Sequence, residues 1–164
     1  MNPAISKMLE ESAGRYLTEA ERRAILDYTD SLPKRMQVAA AIQQIEEPAL
    51  RSALEQVRRK YPEFFQNRPD NGVHHTLRDF ALVLRYSVLA MICDDRNLQA
   101  DRILGWMASM LSGLNFTPQF NRDSYTYVRD AIKANLPPDQ YALIEPFLAI
   151  NIEILGGIPE PQPV

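Results

Sequence analysis

An all-α fold is predicted by three features of the sequence: only 6 glycines in 164 residues, an abundance of Ala, Leu, Glu, Gln and Arg, and apolar residues that recur at helical spacing. No Asn-Gly or Asp-Gly turn joins two alternating runs, since the one such dipeptide, Asn71-Gly72, sits in the polar stretch QNRPDNG. With 46% hydrophobic and 24% charged residues the chain has the composition of one globular domain. At this length such a domain buries roughly 70% of the surface its unfolded chain exposes.

The elements follow in order. A short helix is expected over about residues 4 to 16. Thr18 then caps the next, with Glu21 three residues on to close a capping box. Pro33 is expected to break or kink that helix, a new one restarts near Lys34 and carries Met36, Ala39, Ala40 and Ile42 inward, and Pro48 suits the first turn of a third, which ends at Tyr61-Pro62. After the QNRPDNG loop the most apolar segment predicts a long central helix from about Thr76 to Ile92.

The polar residues Asp94 to Asn97 separate it from a helix in which Leu98, Ile103, Leu104, Met107, Met110 and Leu111 recur at helical spacing. Trp106, spaced helically from Ile103 and Met110, is expected in the core. Gly113 and Pro118 close that helix, two more cover about 123 to 134 and 138 to 155, and the tail GGIPEPQPV is expected to fray.

Several function classes are disfavoured. A formal net charge of -3 supplies no broad basic field for nucleic acid or an anionic membrane. The apolar run from Phe80 to Cys93 is interrupted by Arg85 and falls short of the roughly 20 residues a membrane-spanning helix needs. Cys93 is the one cysteine, which excludes an intrachain disulfide and a cysteine-based zinc site and fits a reducing compartment. The start, MNPAISKMLEES, has no basic region followed by an apolar run, so a cytoplasmic location is expected.

No phosphate-binding glycine loop or nucleophile motif occurs, and no catalytic residues are nominated. His74 and His75 are the only histidines and point about 100° apart on a helix; His75 and Asp79 share a face, but two ligands are too few for a metal site.

Five segments, in this order and spacing, carry a resemblance: Ala13-Gly-Arg-Tyr-Leu-Thr18, Leu77-Arg-Asp79, Leu84-Arg-Tyr86, Asp101-Arg-Ile-Leu104 and Ile144-Glu-Pro-Phe147. Together they resemble the phycobiliproteins, the phycocyanin and allophycocyanin subunits of cyanobacterial light-harvesting antennae. The resemblance implies a globin-like six-helix body, residues 31–156, preceded by an N-terminal helical hairpin, residues 1–30, and followed by a flexible tail, 157–164. In that family a cysteine just before the Leu- or Ser-Arg-Asp motif anchors a linear tetrapyrrole through a thioether. Here the position is Thr76, whose hydroxyl lacks thiolate nucleophilicity. Cys93 lies about 26 Å further along the helix at 1.5 Å per residue, too far to replace it, and is expected to be a small buried hydrophobe.

Arg78 and Asp79 match the family pair that contacts a propionate and the inner pyrrole nitrogens, so the ligand-binding set implied by the resemblance is His75, Thr76, Arg78 and Asp79. Taken from the residues alone, Asp79 is equally a first-turn carboxylate favoured by the helix dipole, with Arg78 reaching solvent. Trp106 and Leu111 replace the family's glycine and tyrosine, which implies a pocket of different shape.

Glu11 and Arg85 stand near positions the family pairs across its subunit contact; Arg85 is expected to pair there, to pair with Glu11 within the chain, or to reach solvent. Ile5, Met8, Leu9, Tyr16 and Leu17 form an apolar stripe suited to a partner, either a second copy or another phycobiliprotein-like subunit.

The function expected is that of a phycobiliprotein-like protein without covalent bilin. It would act through protein partners in phycobilisome assembly, turnover or regulation, in the cytoplasm or at the thylakoid surface. The alternative is a module that binds a tetrapyrrole noncovalently, a bilin before haem, for which a histidine is the chemically available axial ligand.

Overall fold

The computed structural model describes residues 2–66, 72–114 and 116–157. The expected fraying of the last seven residues and most of the loop before Gly72 fall outside them. Helix α1 spans Pro3–Glu11, capped by Asn2, whose Oδ1 accepts from the Ala4 backbone N–H at 2.9 Å. Helix α2 spans Glu19–Lys60, α3 Pro62–Gln66, α4 Gly72–Cys93, α5 Arg96–Gln99, α6 Gly105–Gly113, α7 Pro118–Asn135 and α8 Pro138–Gly156. A π-helical turn, Ala100–Leu104, joins α5 to α6. The fold is all-α and globin-like as expected, with no strand among the described residues.

The capping box forms. The Thr18 hydroxyl accepts from the Glu21 N–H at 3.3 Å, and the Glu21 carboxylate accepts from the Thr18 N–H at 2.7 Å. Beyond it the sequence misleads, because α2 runs unbroken for 42 residues with Pro33 and Pro48 inside it. A proline removes one intrahelical hydrogen bond and crowds the preceding turn. Against that cost stands the packing of α2 on α4 and α7, through Val38, Ile42, Leu50, Leu54 and Val57.

Helix α4 is central as expected, packed on α2 and α8, while α7 packs on α2 and α8. Ile42, Leu84, Met91, Leu104, Ile132 and Leu148 are among the fully buried side chains. A polar relay crosses this apolar interior: Gln99 Nε2 donates to the Phe147 carbonyl at 2.7 Å and to Asn151 Oδ1 at 3.0 Å, and Asn151 Nδ2 donates to Ser87 Oγ at 2.9 Å. It ties α5, α8 and α4 to one register.

Two expectations about packing fail. Trp106 is 59% exposed, not core. The π turn inserts an extra residue into the helical repeat, so the inward stripe of α6 becomes Leu104, Met107, Ala108 and Leu111 and Trp106 lies off it. Cys93 is half-buried rather than buried, because it ends α4 where the chain turns away through Asp94 at a positive φ of 50°.

Candidate functional site

A cavity of about 410 Å³ opens between the first turns of α4, the end of α6 and the first half of α7. It lies within the roughly 300–1,000 Å³ of small-molecule sites. His75, Thr76, Arg78 and Asp79 all line it. Their positions follow from helix geometry, since residues three and four apart share a face at the start of α4.

Each of the four is held differently. The Thr76 hydroxyl donates to the Gly72 carbonyl at 2.7 Å, which commits its proton to the first turn of α4. Arg78 Nε and Nη2 both donate to Asp79 Oδ1, at 2.9 and 2.8 Å. The Arg78 side chain is 57% exposed and that of Asp79 18%, so the guanidinium stands toward solvent and the carboxylate toward the cavity. Asp79 Oδ2 has no hydrogen-bond donor among the described residues. His75 is exposed and makes no bond to Asp79, and no group of three metal-ligating side chains occurs among the described residues.

The rest of the cavity is mainly apolar. Phe64, Phe116 and Phe120 stack at 4.8 to 5.3 Å between ring centres, and Met110, Leu111 and Leu114 face them from α6. Tyr125, buried, meets Phe80 edge-on at 5.6 Å, and its hydroxyl donates to Met107 Sδ at 3.4 Å. Burial first, and then the Asp79 charge, push its phenol well above the usual range, so it stays protonated.

Two further side chains of α7, Asn121 and Ser124, line the cavity and were not singled out in the sequence. They are 3% and 2% exposed; the Ser124 hydroxyl has no partner, and the Asn121 amide forms no side-chain hydrogen bond among the described residues. The signal was present: counting back by three and four from Val128, Ala131 and Ile132 places both on the buried stripe of α7.

Cys93 lies at the opposite end of α4 and is not among the cavity's lining residues, so no thiol from it reaches a ligand there.

Arg85 is bound within the chain, Nη2 donating to Glu46 Oε1 at 2.6 Å and Nε to Oε2 at 3.2 Å. Glu11 lies 3.7 Å from Lys7 on its own helix, so Glu46, from the neighbouring α2, is the intrachain acid that Arg85 finds. Ile5 is buried, Met8 and Leu17 are half-buried, Leu9 is exposed and Tyr16 is 98% exposed.

The family model described as phycobilisome protein matches residues 8–155. The chain belongs to the phycobilisome protein family. Among curated proteins no match is found. Within this phycobilisome-family chain the cavity's residues suit an open-chain tetrapyrrole: a guanidinium at the mouth for a carboxylate, a free carboxylate oxygen for pyrrole N–H groups, and an unpartnered serine hydroxyl on the far helix. Among the described residues no helix is long and apolar enough to cross a membrane.

Proposed function

We propose that this phycobilisome-family protein works without a covalent bilin and that its cavity holds an unattached linear tetrapyrrole. The observation that carries this is the convergence of His75, Thr76, Arg78 and Asp79 on one cavity of about 410 Å³. Arg78 would bind a propionate as a planar fork, and Asp79 would accept from inner N–H groups. Phe64, Phe116 and Phe120 supply the apolar wall and exclude water. Thr76 supplies no thiolate-like nucleophile, since its hydroxyl has no accessible anion and donates its proton to the Gly72 carbonyl. When bound, the tetrapyrrole supplies visible absorption. Haem ranks second because His75, exposed at the mouth, is the one imidazole among the cavity's lining residues. No catalytic role is assigned.

Titration with biliverdin, followed by absorbance, tests this. The parent should bind at micromolar concentration, Asp79→Asn should weaken binding by about 1.5–3 kcal/mol through loss of charged hydrogen bonds, and zinc-enhanced fluorescence of the denatured complex should show no retained pigment. Absence of binding to the parent would overturn the proposal.

The second role, through protein partners in phycobilisome assembly, turnover or regulation, is favoured by a separate observation. Leu26, Met36 and Leu89 are exposed large apolar side chains on α2 and α4. They extend a partner surface from the N-terminal hairpin along the body. The two roles are compatible, since the cavity lies at the other end of α4.

A further inference from the structure

We infer that the α7 side of the cavity, Asn121 with Ser124, recognises a lactam, a cyclic amide edge that offers a carbonyl and an N–H side by side. This rests on the tetrapyrrole proposal and names which part of such a ligand meets which wall. Buried polar groups in folded proteins are almost always paired. Here the Ser124 hydroxyl is buried without a partner, and Asn121, one helical turn away and 3% exposed, forms no side-chain hydrogen bond among the described residues. A carboxamide carries one acceptor and two donors in a plane, which matches a lactam edge at two points. The serine hydroxyl, free of any bond to α7, is donor or acceptor as its χ1 rotation requires.

A carboxylate is a poor occupant of this wall. Neither Asn121 nor Ser124 is charged, and the cavity's guanidinium belongs to Arg78 on α4. The two ends of the site therefore select different chemistry: an anionic group at Arg78, and a neutral donor–acceptor pair at Asn121. Apolar rings from Phe64, Phe116 and Phe120 lie in the same cavity and suit the conjugated body between them.

The test compares two pigments that share propionates but differ in their ends: biliverdin, with two lactams, and protoporphyrin IX, with none. Trp106 is the chain's one tryptophan, and Met110 and Leu114, one and two turns along its helix, line the cavity, so quenching of its fluorescence reports occupancy. Asn121→Leu, nearly isosteric, should weaken biliverdin about tenfold and leave protoporphyrin within about twofold.

Ser124→Ala should weaken biliverdin by a smaller factor while raising the melting temperature of the ligand-free protein, because it deletes a buried hydroxyl that nothing satisfies. That opposition of stability and affinity would not come from a residue with a purely structural role, and it keeps the test decisive if Asn121→Leu does not fold. Unchanged biliverdin affinity in both variants, or equal losses for both pigments, overturns the lactam assignment and leaves the cavity proposal standing. Failure of the parent to bind biliverdin at all overturns both.

Discussion

Arg35 carries a positive charge into the interior and answers it with carbonyls instead of a carboxylate. Nη1 donates to the Met91 and Ile92 carbonyls at 3.3 and 2.5 Å, and Nη2 to the Tyr28 carbonyl and Ser31 Oγ, both at 2.9 Å. Met91 and Ile92 lie in the last turn of α4, where the helix dipole is negative; the Met91 carbonyl accepts from the Asp94 N–H as well, at 3.1 Å. Its guanidinium also sits 4.7 Å over the Tyr28 ring. Arg35→Leu should lower the free energy of unfolding by about 3 kcal/mol, since it removes four hydrogen bonds from a charged donor at once. Urea titration checks this, and an unchanged midpoint would show that water replaces the side chain freely. The sequence around Arg35, Leu-Pro-Lys-Arg-Met, gives no hint of burial, because the acceptors come from residues 56 and 57 positions away. Arg78 and Asp79 were legible for the opposite reason: their place at the head of an apolar helix is local, and it alone puts them at a cavity mouth. Asn121 and Ser124 look like ordinary surface polarity unless the buried register of α7 is carried back to them.

At the scale of helices, the start of α2 makes a pH prediction. Hydrogen bonds from Arg15, and then from the Thr18 N–H, hold the Glu21 carboxyl at about 2 against an ordinary 4.5. A depressed pKa means that the stabilisation is present above 4.5 and is lost as pH falls toward 2. Arg15→Gln should move that loss upward, toward the ordinary carboxylate range. Amide exchange of the first turn of α2, followed against pH by NMR, measures it, and an unmoved acid edge would assign the shift to the capping box alone. The α7–α8 contact makes a second prediction. A Cβ on Gly156 would lie 2.7 Å from Arg122 Cβ and 2.8 Å from its Cα, so the two helices touch where the glycine sits. Gly156→Ala should destabilise the protein by about 1–3 kcal/mol through overpacking, read as a lower melting temperature. Signals made of adjacent residues, such as the Thr18–Glu21 capping box, could be read in advance. Those that depend on distant packing could not: the continuity of α2 through Pro33 and Pro48 is set by its neighbours α4 and α7, and the π turn is hidden inside an apolar spacing that looks regular.

At the scale of the whole molecule, the resemblance carried in five short segments gave the fold, because the order and spacing of those segments reflect one packed helical body. Of the residues nominated for a partner, Ile5 is taken up by the chain itself, and Arg85 pairs with Glu46, an acid 39 positions away that no local signal picks out. What remains exposed predicts association through α2 and α4: Met36→Glu with Leu89→Glu should reduce the mass seen by light scattering, and an unchanged mass would remove this face as an interface. The length of α2 has a hydrodynamic consequence. Forty-two residues at 1.5 Å span about 63 Å, whereas a compact chain of this size is about 40 Å across. No residue of α2 before Arg35 is buried, and the first of its side chains to bond the helical body is Tyr28, whose hydroxyl donates to the Cys93 carbonyl, so about 14 Å of helix extends beyond that bond. A lone copy should therefore drag through solvent as an elongated particle, and its frictional ratio, read from sedimentation velocity, would fall toward that of a compact body only when another subunit lies along the overhang.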